Sequence, residues 1–366
     1  MEILAGRPPA WQGALVELER VETDHAAVIV DFLAAHDLAG EPLRQRGDVG
    51  VALLIGARGC AALGGVPQGA ASPTAVPECV AVAYRTGGVG GTEPWGASVG
   101  EWAATWTDDE HAAAVEVVRQ AIACGDVYQA NVVGHRSAPF TGDPATLAAA
   151  LTALPGAWYG GSLSGAGWTV ASASPEQLVR LSGDRITTVP IKGTSHDPGL
   201  LAVSAKDRAE HVMIVDLERN DLARVTRAGT VTVEELYSVS DWAGLWHASS
   251  TVAGRLATGA GVADVLRALL PGGSVTGAPK HSACGLLARL EPVGRGPAMG
   301  AMGFVWPGGL DLGLTIRTIA AVDGRVHLWA GGGITWGSDP DAEVAEAHAK
   351  ATPVQQALAQ VRPSSS

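Results

Sequence analysis

Apolar and polar residues follow the period of a helix in several segments, most clearly after residue 106. Thr107-Asp-Asp-Glu110 is a capping box, a hydroxyl followed three residues later by a glutamate, so a helix is expected to follow it. Asp339-Pro340 indicates another helix start, because aspartate is a common N-cap residue and proline is favoured in the first turn of a helix. The pattern predicts helices at about 108–124, 144–153, 203–222, 262–270, from 279 onward, and 340–361.

Short apolar runs between these segments predict β-strands. Asp323-Gly324 is a two-residue hairpin signal, and a second turn is expected at Ser182-Gly-Asp184. The first 100 residues are less regular: residues 15–36 look partly helical, and the Gly- and Pro-rich residues 64–96 predict loops. Strands in runs joined by hairpins indicate an α+β protein with antiparallel sheets. The strands are predicted at 49–55, 126–135, 158–163, 168–172, 177–191, 231–237, 247–256, 299–306, 311–322 and 326–330.

Composition and charge restrict the function classes. Hydrophobic residues make up 47% and charged residues 17% of the 366 positions, a globular balance without a membrane-length apolar run or a signal peptide. The four cysteines stand singly, which predicts a reducing, cytoplasmic location. A net charge of −12 without a basic cluster argues against a nucleic-acid partner. An anionic substrate would therefore need local cations.

Two of the predicted helices carry acidic pairs at positions i and i+3. Asp207 and Glu210 form the first pair, Glu343 and Glu346 the second, and Lys350 follows four residues after Glu346. Such a pair alone is more often a solvated helix face. Carboxylate oxygens are also the ligands that Mg²⁺ takes, usually one or two with waters and substrate. Like charges at this spacing repel, which weakly indicates a cation.

Two glycine-rich segments could approach a ligand with their backbones. Residues 271–280 place glycines and hydroxyls before a helix, where free N–H groups suit a carboxylate or phosphate. Ala278-Pro279 stands where a nucleotide P-loop has Lys-Ser/Thr, and a plain turn is an equal alternative. Ala330-Gly-Gly-Gly333 follows a strand but lacks a full dinucleotide fingerprint. It more simply allows close approach to a ligand or another strand.

Four single residues could contribute chemistry. Lys192 ends an apolar strand beside a glycine; such a lysine is usually solvated, but in a closed pocket it would be a nucleophile. Glu176 could serve as a general acid. Arg317 interrupts an apolar strand and His247 follows Trp246. Each of these two residues could be a substrate contact, or equally a partly buried residue whose hydrogen bonds are made within the protein.

The order of the motifs is more specific than any motif alone. The chain resembles the chorismate-binding catalytic domain shared by anthranilate, aminodeoxychorismate, isochorismate and salicylate synthases, from about residue 107 to 355. The motifs are Gly125-Asp-Val-Tyr-Gln-Ala-Asn131, Ser174-Pro-Glu176, Pro190-Ile-Lys-Gly-Thr194, Ala205-Lys-Asp-Arg-Ala-Glu-His211, His247-Ala-Ser-Ser250, Gly273-Ser-Val-Thr-Gly-Ala-Pro-Lys280, Leu314-Thr-Ile-Arg-Thr318, Ala330-Gly-Gly-Gly-Ile334 and Glu343-Val-Ala-Glu346.

The resemblance implies a fold and a domain organisation. It implies an α+β fold of two orthogonally packed antiparallel β-sheets flanked by helices. Residues 1–100 would be a short, divergent N-terminal part that completes this fold, residues 101–362 the catalytic domain, and residues 363–366 a tail.

Within the family, Lys192 distinguishes between reactions. Aminodeoxychorismate synthases carry Pro-Ile-Lys-Gly-Thr here, whereas anthranilate synthases carry alanine in place of the lysine. Gln129 stands where the isochorismate and salicylate enzymes place a lysine that activates water. The resemblance therefore implies aminodeoxychorismate synthase component I, acting on chorismate and ammonia. The alternatives are anthranilate synthase component I and a chorismate-binding protein without activity, the latter because Ala298 replaces a usual aromatic residue.

The resemblance also implies roles for individual residues. Lys192 would form an adduct with chorismate, Glu176 would be the general acid, and His247 would lie near the departing hydroxyl. Mg²⁺ would be held by Glu210 and Glu346, with Glu343 and Asp207 nearby. No cysteine stands in a Gly-x-Cys-x-Gly-x-Gln motif, so ammonia is expected from a separate glutaminase subunit. The implied substrate contacts are Ser274, Thr276, Gly277, Arg317, Gly331, Gly332, Gly333 and Lys350.

Overall fold

The computed structural model describes residues 14–42, 47, 49–88, 96–195, 197–203, 205–242 and 245–361. The expected tail, residues 363–366, lies outside these ranges. Among the helices within them, none is both long enough and apolar enough to cross a membrane.

Ten of the described strands form the first antiparallel sheet. They are β1 (Ala14–Thr23), β2 (Gly50–Ile55), β3 (Cys79–Gly88), β9 (Gln177–Ser182), β10 (Arg185–Val189), β11 (Ile191–Ser195), β12 (Thr232–Trp242), β13 (Leu245–Arg255), β15 (Ala301–Trp306) and β16 (Gly309–Leu314). Their order is β1-β3-β2-β15-β16-β9-β10-β13-β11, and β12 pairs with β13.

Eight strands form the second sheet, which is also antiparallel. They are β4 (Ala97–Val99), β5 (Ala103–Ala104), β6 (Gln129–Gly142), β7 (Gly161–Gly165), β8 (Trp168–Ser172), β14 (Gly277–Ala278), β17 (Thr318–Val322) and β18 (Arg325–Ile334). The order is β14-β6-β18-β17-β8-β7, with β4 and β5 on β6. The Asp323-Gly324 hairpin is confirmed: both residues have positive φ, 50° and 69°, as a type I′ turn requires.

Helices cover the sheets, and their ends follow the capping signals. The helices are α1 (Ala27–Ala35), α2 (Ala57–Gly64), α3 (Asp108–Ala123), α4 (Pro144–Thr152), α5 (Pro198–Val203), α6 (Ala205–Ala223), α7 (Val262–Leu269), α8 (Lys280–Leu290) and α9 (Pro340–Ala359). Thr107 and Glu110 form the expected capping box of α3, and the Asp339 side chain accepts from the N–H of Ala342 at α9. Pro279 is the N-cap of α8, so the helix begins at Lys280, one residue after the expected start.

Alternate side chains of β17 enter two different cores, because successive residues of a strand point to opposite faces. Ala320 and Val322 lie in the main core, which holds residues of both sheets and of α6 and α7. Ile319 and Ala321 lie in a second core, which is closed by α4 and α9. A third, smaller core packs α3 and α8 against β6.

The expected fold class, an α+β protein with two antiparallel sheets and flanking helices, is confirmed. Two segments near the N-terminus differ from the expectation. Residues 15–36 contain β1 followed by α1, and residues 64–96, expected as loops, contain β3. β3 is paired on both sides, by β1 and β2, so tertiary pairing outweighs the local glycine and proline signals.

The apolar run at residues 311–322, expected as one strand, is two strands in different sheets. β16 ends at Leu314 in the first sheet and β17 begins at Thr318 in the second. Arg317 lies at the break with a φ of 49°, a conformation incompatible with a continuing strand. The chain therefore passes from one sheet to the other at residues 315–317.

Candidate active site

A cavity of about 570 Å³ lies beside this crossing, and residues from both sheets line it. Its volume is in the range that takes a small organic ligand. The first sheet contributes β11 and β13, the second contributes β18, and α6 and α9 complete the wall. The residues of expected function that line it are Glu176, Lys192, Glu210, His247, Ser274, Arg317, Gly331, Gly333, Glu346 and Lys350.

Four other expected residues lie behind this wall. The Thr276 hydroxyl donates to the carbonyl of Gly272 at 2.8 Å and so stabilises the turn around Ser274. Gly277 pairs with Ala130, and its φ of 136° is one that residues with a side chain rarely adopt. The buried Glu343 accepts a hydrogen bond from Ser338 at 2.6 Å, and a Cβ on Gly332 would lie 3.0 Å from its other oxygen.

Lys192 lies where β11 leaves regular pairing. Ile191 pairs with Ser249 and Thr194 with His247, so Lys192 and Gly193 together face Ala248 alone. Two residues opposite one make a β-bulge, and Gly193 takes the positive φ, 80°, that such bulges favour. The Lys192 Nζ lies 3.5 Å from the position that a Cβ on Gly333 would occupy. The bulge therefore directs the amine across the cavity to the second sheet.

Glu176 is only 5% exposed, and burial raises the pKa of its carboxyl above the usual range. The Ser274 hydroxyl, which donates to the carboxyl, and the nearby Lys192 charge act in the opposite direction. Because burial dominates, Glu176 gives up its proton less readily than an exposed glutamate does. The side chain thus has the character of a general acid.

Three cationic side chains stand beside three acidic ones in the cavity wall of a chain whose net charge is −12. Lys192, Arg317 and Lys350 all line the cavity. The Lys350 Nζ donates to the carbonyl of Gly331 at 2.9 Å and lies 2.7 Å from a Glu346 oxygen. Burial lowers the pKa of the Arg317 guanidinium, whose high intrinsic pKa still keeps it charged. These cations suit an anionic ligand.

Two carboxylates of the wall could hold a divalent cation. Glu210 comes from α6 and Glu346 from α9, and both line the cavity. In the part of the chain that the structure describes, no three His, Cys, Asp or Glu side chains come together as a metal site. Mg²⁺ needs only one or two protein carboxylates, with water and substrate oxygens as the other ligands, so this pair fits it. Asp207 lies on α6, but its side chain is outside the described residues.

Buried residues behind the cavity were not expected from the sequence. Arg295 donates to the carbonyls of Val275 and Asn131, both at 2.6 Å, and so connects the loop that carries Ser274 to β6. Its partner is Glu291, four residues earlier, and this i, i+4 spacing of opposite charges was the available signal. Gln129 is buried against Gly333, and its Oε1 has no hydrogen-bond partner among the described residues.

Comparison with known proteins shows what the chain is similar to. Residues 89–356 match the family model described as chorismate binding enzyme. The chain is 43% identical over 257 residues to anthranilate synthase component 1 of Streptomyces coelicolor, covering 67% of this chain and 50% of that protein. It is 36% identical over 272 residues to aminodeoxychorismate synthase component 1 of Bacillus subtilis, covering 71% and 58%. The chain thus spans little more than half the length of these relatives.

The fold is similar to a solved structure over nearly its whole length. The crystal structure of anthranilate synthase component I from Streptococcus pneumoniae superposes with a TM-score of 0.82, covering 96% of this chain and 94% of that one. The sequence identity is 23%, so this likeness concerns the fold.

Proposed function

Because the chain belongs to the family of chorismate binding enzymes, we propose that it is an aminodeoxychorismate synthase component I, which converts chorismate and ammonia to 4-amino-4-deoxychorismate and water. One observation carries the proposal: the Lys192 amine and the buried Glu176, whose pKa is raised by burial, line the same cavity. A nucleophile and an acid in one cavity suit the replacement of a hydroxyl, which leaves readily only when it is protonated.

The first step forms a bond between Lys192 and the substrate. The Lys192 amine, in its neutral form, attacks C2 of chorismate, both double bonds of the ring shift by one position, and the C4–O bond breaks. Glu176 gives its proton to the departing oxygen, which leaves as water, and His247 lies beside it. The Glu176 carboxylate that results is stabilised by the Ser274 hydroxyl and the Lys192 charge, both of which favour its ionised form.

In the second step ammonia adds at C4, both ring double bonds shift back, and the bond from C2 to Lys192 breaks, which returns the lysine as a neutral amine. The proton that the new amine loses returns to Glu176. The Gln129 Oε1 has no hydrogen-bond partner among the described residues, and it supports ammonia as the nucleophile because a carbonyl oxygen can accept a hydrogen bond from ammonia. A glutamine cannot activate water as a basic side chain would.

Substrate binding would use the charges of the cavity wall. Arg317 and Lys350 would face carboxylate groups of chorismate, and Ser274 and the backbone at Gly331 and Gly333 would contact the ligand closely. Glu210 and Glu346 would hold Mg²⁺, with Asp207 and Glu343 beside them. When bound, Mg²⁺ would neutralise the ring carboxylate of chorismate and so assist its entry into an acidic protein.

The source of ammonia is also part of the proposal. The curated relatives carry the name component 1, and we propose a separate glutaminase subunit as the partner of this chain. The four cysteines are unpaired, which supports action in a reducing, cytoplasmic compartment. Ammonium salt alone should support turnover, and glutamine should do so only after the glutaminase is added. Turnover of glutamine by this chain alone would contradict the partner.

Anthranilate synthase component I is the second candidate, favoured by the 43% identity to the Streptomyces coelicolor protein. A chorismate-binding protein without catalysis is the third. Incubation of the purified protein with chorismate, Mg²⁺ and ammonium salt, followed by mass analysis, separates them. Aminodeoxychorismate supports the proposal, anthranilate supports the second candidate, and bound chorismate without any product supports the third.

A further inference from the structure

We propose that His211, a fully buried histidine outside the cavity wall, is a positioning residue that fixes the direction of the Lys192 side chain. This inference rests on the proposed function, since it concerns how the nucleophile of that reaction is held. In this proposal the His211 imidazole holds the backbone of the bulge at Lys192 and Gly193 in place.

The bulge leaves two backbone carbonyls without their usual partners, and the His211 side chain contacts both. In a regular antiparallel ladder each carbonyl faces an N–H of the neighbouring strand. At the bulge the carbonyls of Lys192 and Ala248 instead converge on one atom, the His211 Nε2, at 2.9 Å each. Buried carbonyls without a donor are costly, so the bulge depends on a donor from outside the sheet. α6 provides it.

The hydrogen bonds around the ring determine which nitrogen carries the proton. The Tyr237 N–H donates to the Ser250 hydroxyl oxygen at 3.0 Å, which leaves the hydroxyl hydrogen free to donate elsewhere. The His211 Nδ1 lies 3.1 Å from that oxygen and accepts this hydrogen. The Lys192 N–H also lies 3.2 Å from Nε2, but the carbonyls of Lys192 and Ala248 are closer, at 2.9 Å each, and both need a donor. We therefore place the proton of the ring on Nε2.

This contact joins three parts of the proposed site. His211 follows the metal-ligand candidate Glu210 on α6, and it holds both Lys192 on β11 and Ala248 on β13. Ala248 is the neighbour of His247. The single Nε2–H therefore fixes the amine, the acidic helix and the histidine relative to one another. Errors of about 1 Å in such arrangements can lower rates by roughly 100-fold.

The test compares two substitutions that differ in the donor. His211→Phe keeps a ring and removes the N–H, whereas His211→Gln places an amide N–H near the position of Nε2. We expect kcat with chorismate and ammonia to fall about 100-fold in His211→Phe, with KM for chorismate changed less than threefold. His211→Gln should recover at least tenfold of the lost kcat. His111→Phe, a buried histidine stacked on Trp106, is the matched control and should keep wild-type kcat.

A second measurement does not depend on turnover. Amide hydrogen exchange of the peptide that contains residues 189–195 should be faster in His211→Phe than in the wild type or in His211→Gln. Unchanged exchange, a kcat within threefold of the wild type, or a loss that appears mainly in KM would overturn the positioning role. A wild-type protein that forms no product would contradict the proposed function instead, and the exchange experiment would still decide the role of His211.

Discussion

Arg295 donates to both carboxylate oxygens of Glu291, from Nε at 2.8 Å and from Nη2 at 2.6 Å, and both side chains are buried. Glu291 also accepts from the N–H of Val133 on β6 at 3.1 Å. The remaining guanidinium contacts reach the carbonyls of Val275 and Asn131. One ion pair thus holds the 3-10 turn at Gly273–Val275 against the second sheet.

Removal of the guanidinium should leave a buried charge without a partner. We expect Arg295→Met to lower the free energy of unfolding by about 3–5 kcal/mol. Addition of Glu291→Gln should restore part of the loss, because glutamine is neutral and still accepts from Val133. Urea unfolding of the single and double variants measures both effects. A loss below about 1 kcal/mol in Arg295→Met would show that the pair is not needed.

The covalent step predicts an adduct on one peptide. Incubation with chorismate and Mg²⁺ in the absence of ammonia, followed by acid quench, should leave a substrate-derived mass on the peptide that contains Lys192. Lys192→Ala should lose the adduct and most aminodeoxychorismate formation, and should release a little anthranilate. Lys192→Arg is the matched control: it keeps the positive charge and should also form no adduct. Wild-type rate and product in Lys192→Ala would favour direct attack by ammonia.

The metal proposal predicts that two carboxylates on different helices act together. Glu210→Gln and Glu346→Gln should each abolish most turnover, because both remove a hard oxygen ligand. The fold should remain, as followed by circular dichroism. A Mg²⁺ titration should show weaker activation in either variant, and a chelator should inactivate the wild type. Full activity of both variants with chelator present would exclude this site.

Gly333 is expected to be intolerant of even a methyl group. A Cβ there would collide with the Gln129 amide and would lie 3.5 Å from the Lys192 Nζ. Because the end of a glutamine side chain can move, Gly333→Ala should change the melting temperature by only a few degrees, roughly 1 kcal/mol. The kcat with ammonia should fall at least tenfold. Gly337→Ala, where a Cβ meets nothing within 4 Å, is the control and should match the wild type in both measurements.

Glu218 predicts how stability depends on pH. This side chain is 4% exposed; burial and the neighbouring Asp221 raise the pKa of its carboxyl to about 8. The folded state therefore holds the proton more tightly than the unfolded chain. Its contribution to stability is complete below the usual glutamate pKa, near 4.5, and is lost as the pH rises through about 8.

Between about pH 5 and 8 the wild type should lose stability with a slope of up to about 1.4 kcal/mol per pH unit from this group, and the slope should vanish above about pH 8. Glu218→Gln, which can still accept from the Thr188 hydroxyl, should be closest to the wild type near pH 5, show a flatter curve between pH 5 and 8, and run parallel to it above pH 8. Glu235→Gln, at an exposed position of β12, should follow the wild-type curve. Equal slopes in all three proteins would contradict a titrating Glu218.

Local signals predicted the elements whose ends are determined by adjacent residues. The capping box at Thr107, the Asp339 cap and the Asp323-Gly324 turn all occur as expected, because their hydrogen bonds or φ angles involve near neighbours. The break at Arg317 could not be predicted in this way. A run of apolar residues shows that a strand is buried, but not in which of two sheets it lies.

The candidate site shows the same division. Ordered motifs indicated the residues that line the cavity, including Lys192 and Glu176. The contacts of His211 and Arg295 depend on backbone carbonyls that tertiary packing brings together. Every residue has a backbone carbonyl, so the sequence does not show which carbonyls a buried side chain will contact.

The pairing of β2 has a consequence for how the chain folds during synthesis. Residues 50–55 are fully apolar apart from Gly50, and one edge of this strand is covered only by β15, residues 301–306. At roughly 5–20 residues per second, β15 follows β2 out of the ribosome after an interval on the order of 10–50 s. Throughout that interval β2 exposes an open apolar edge that can pair with other chains. We therefore expect the nascent protein to be most prone to aggregation before residues 301–306 have been made.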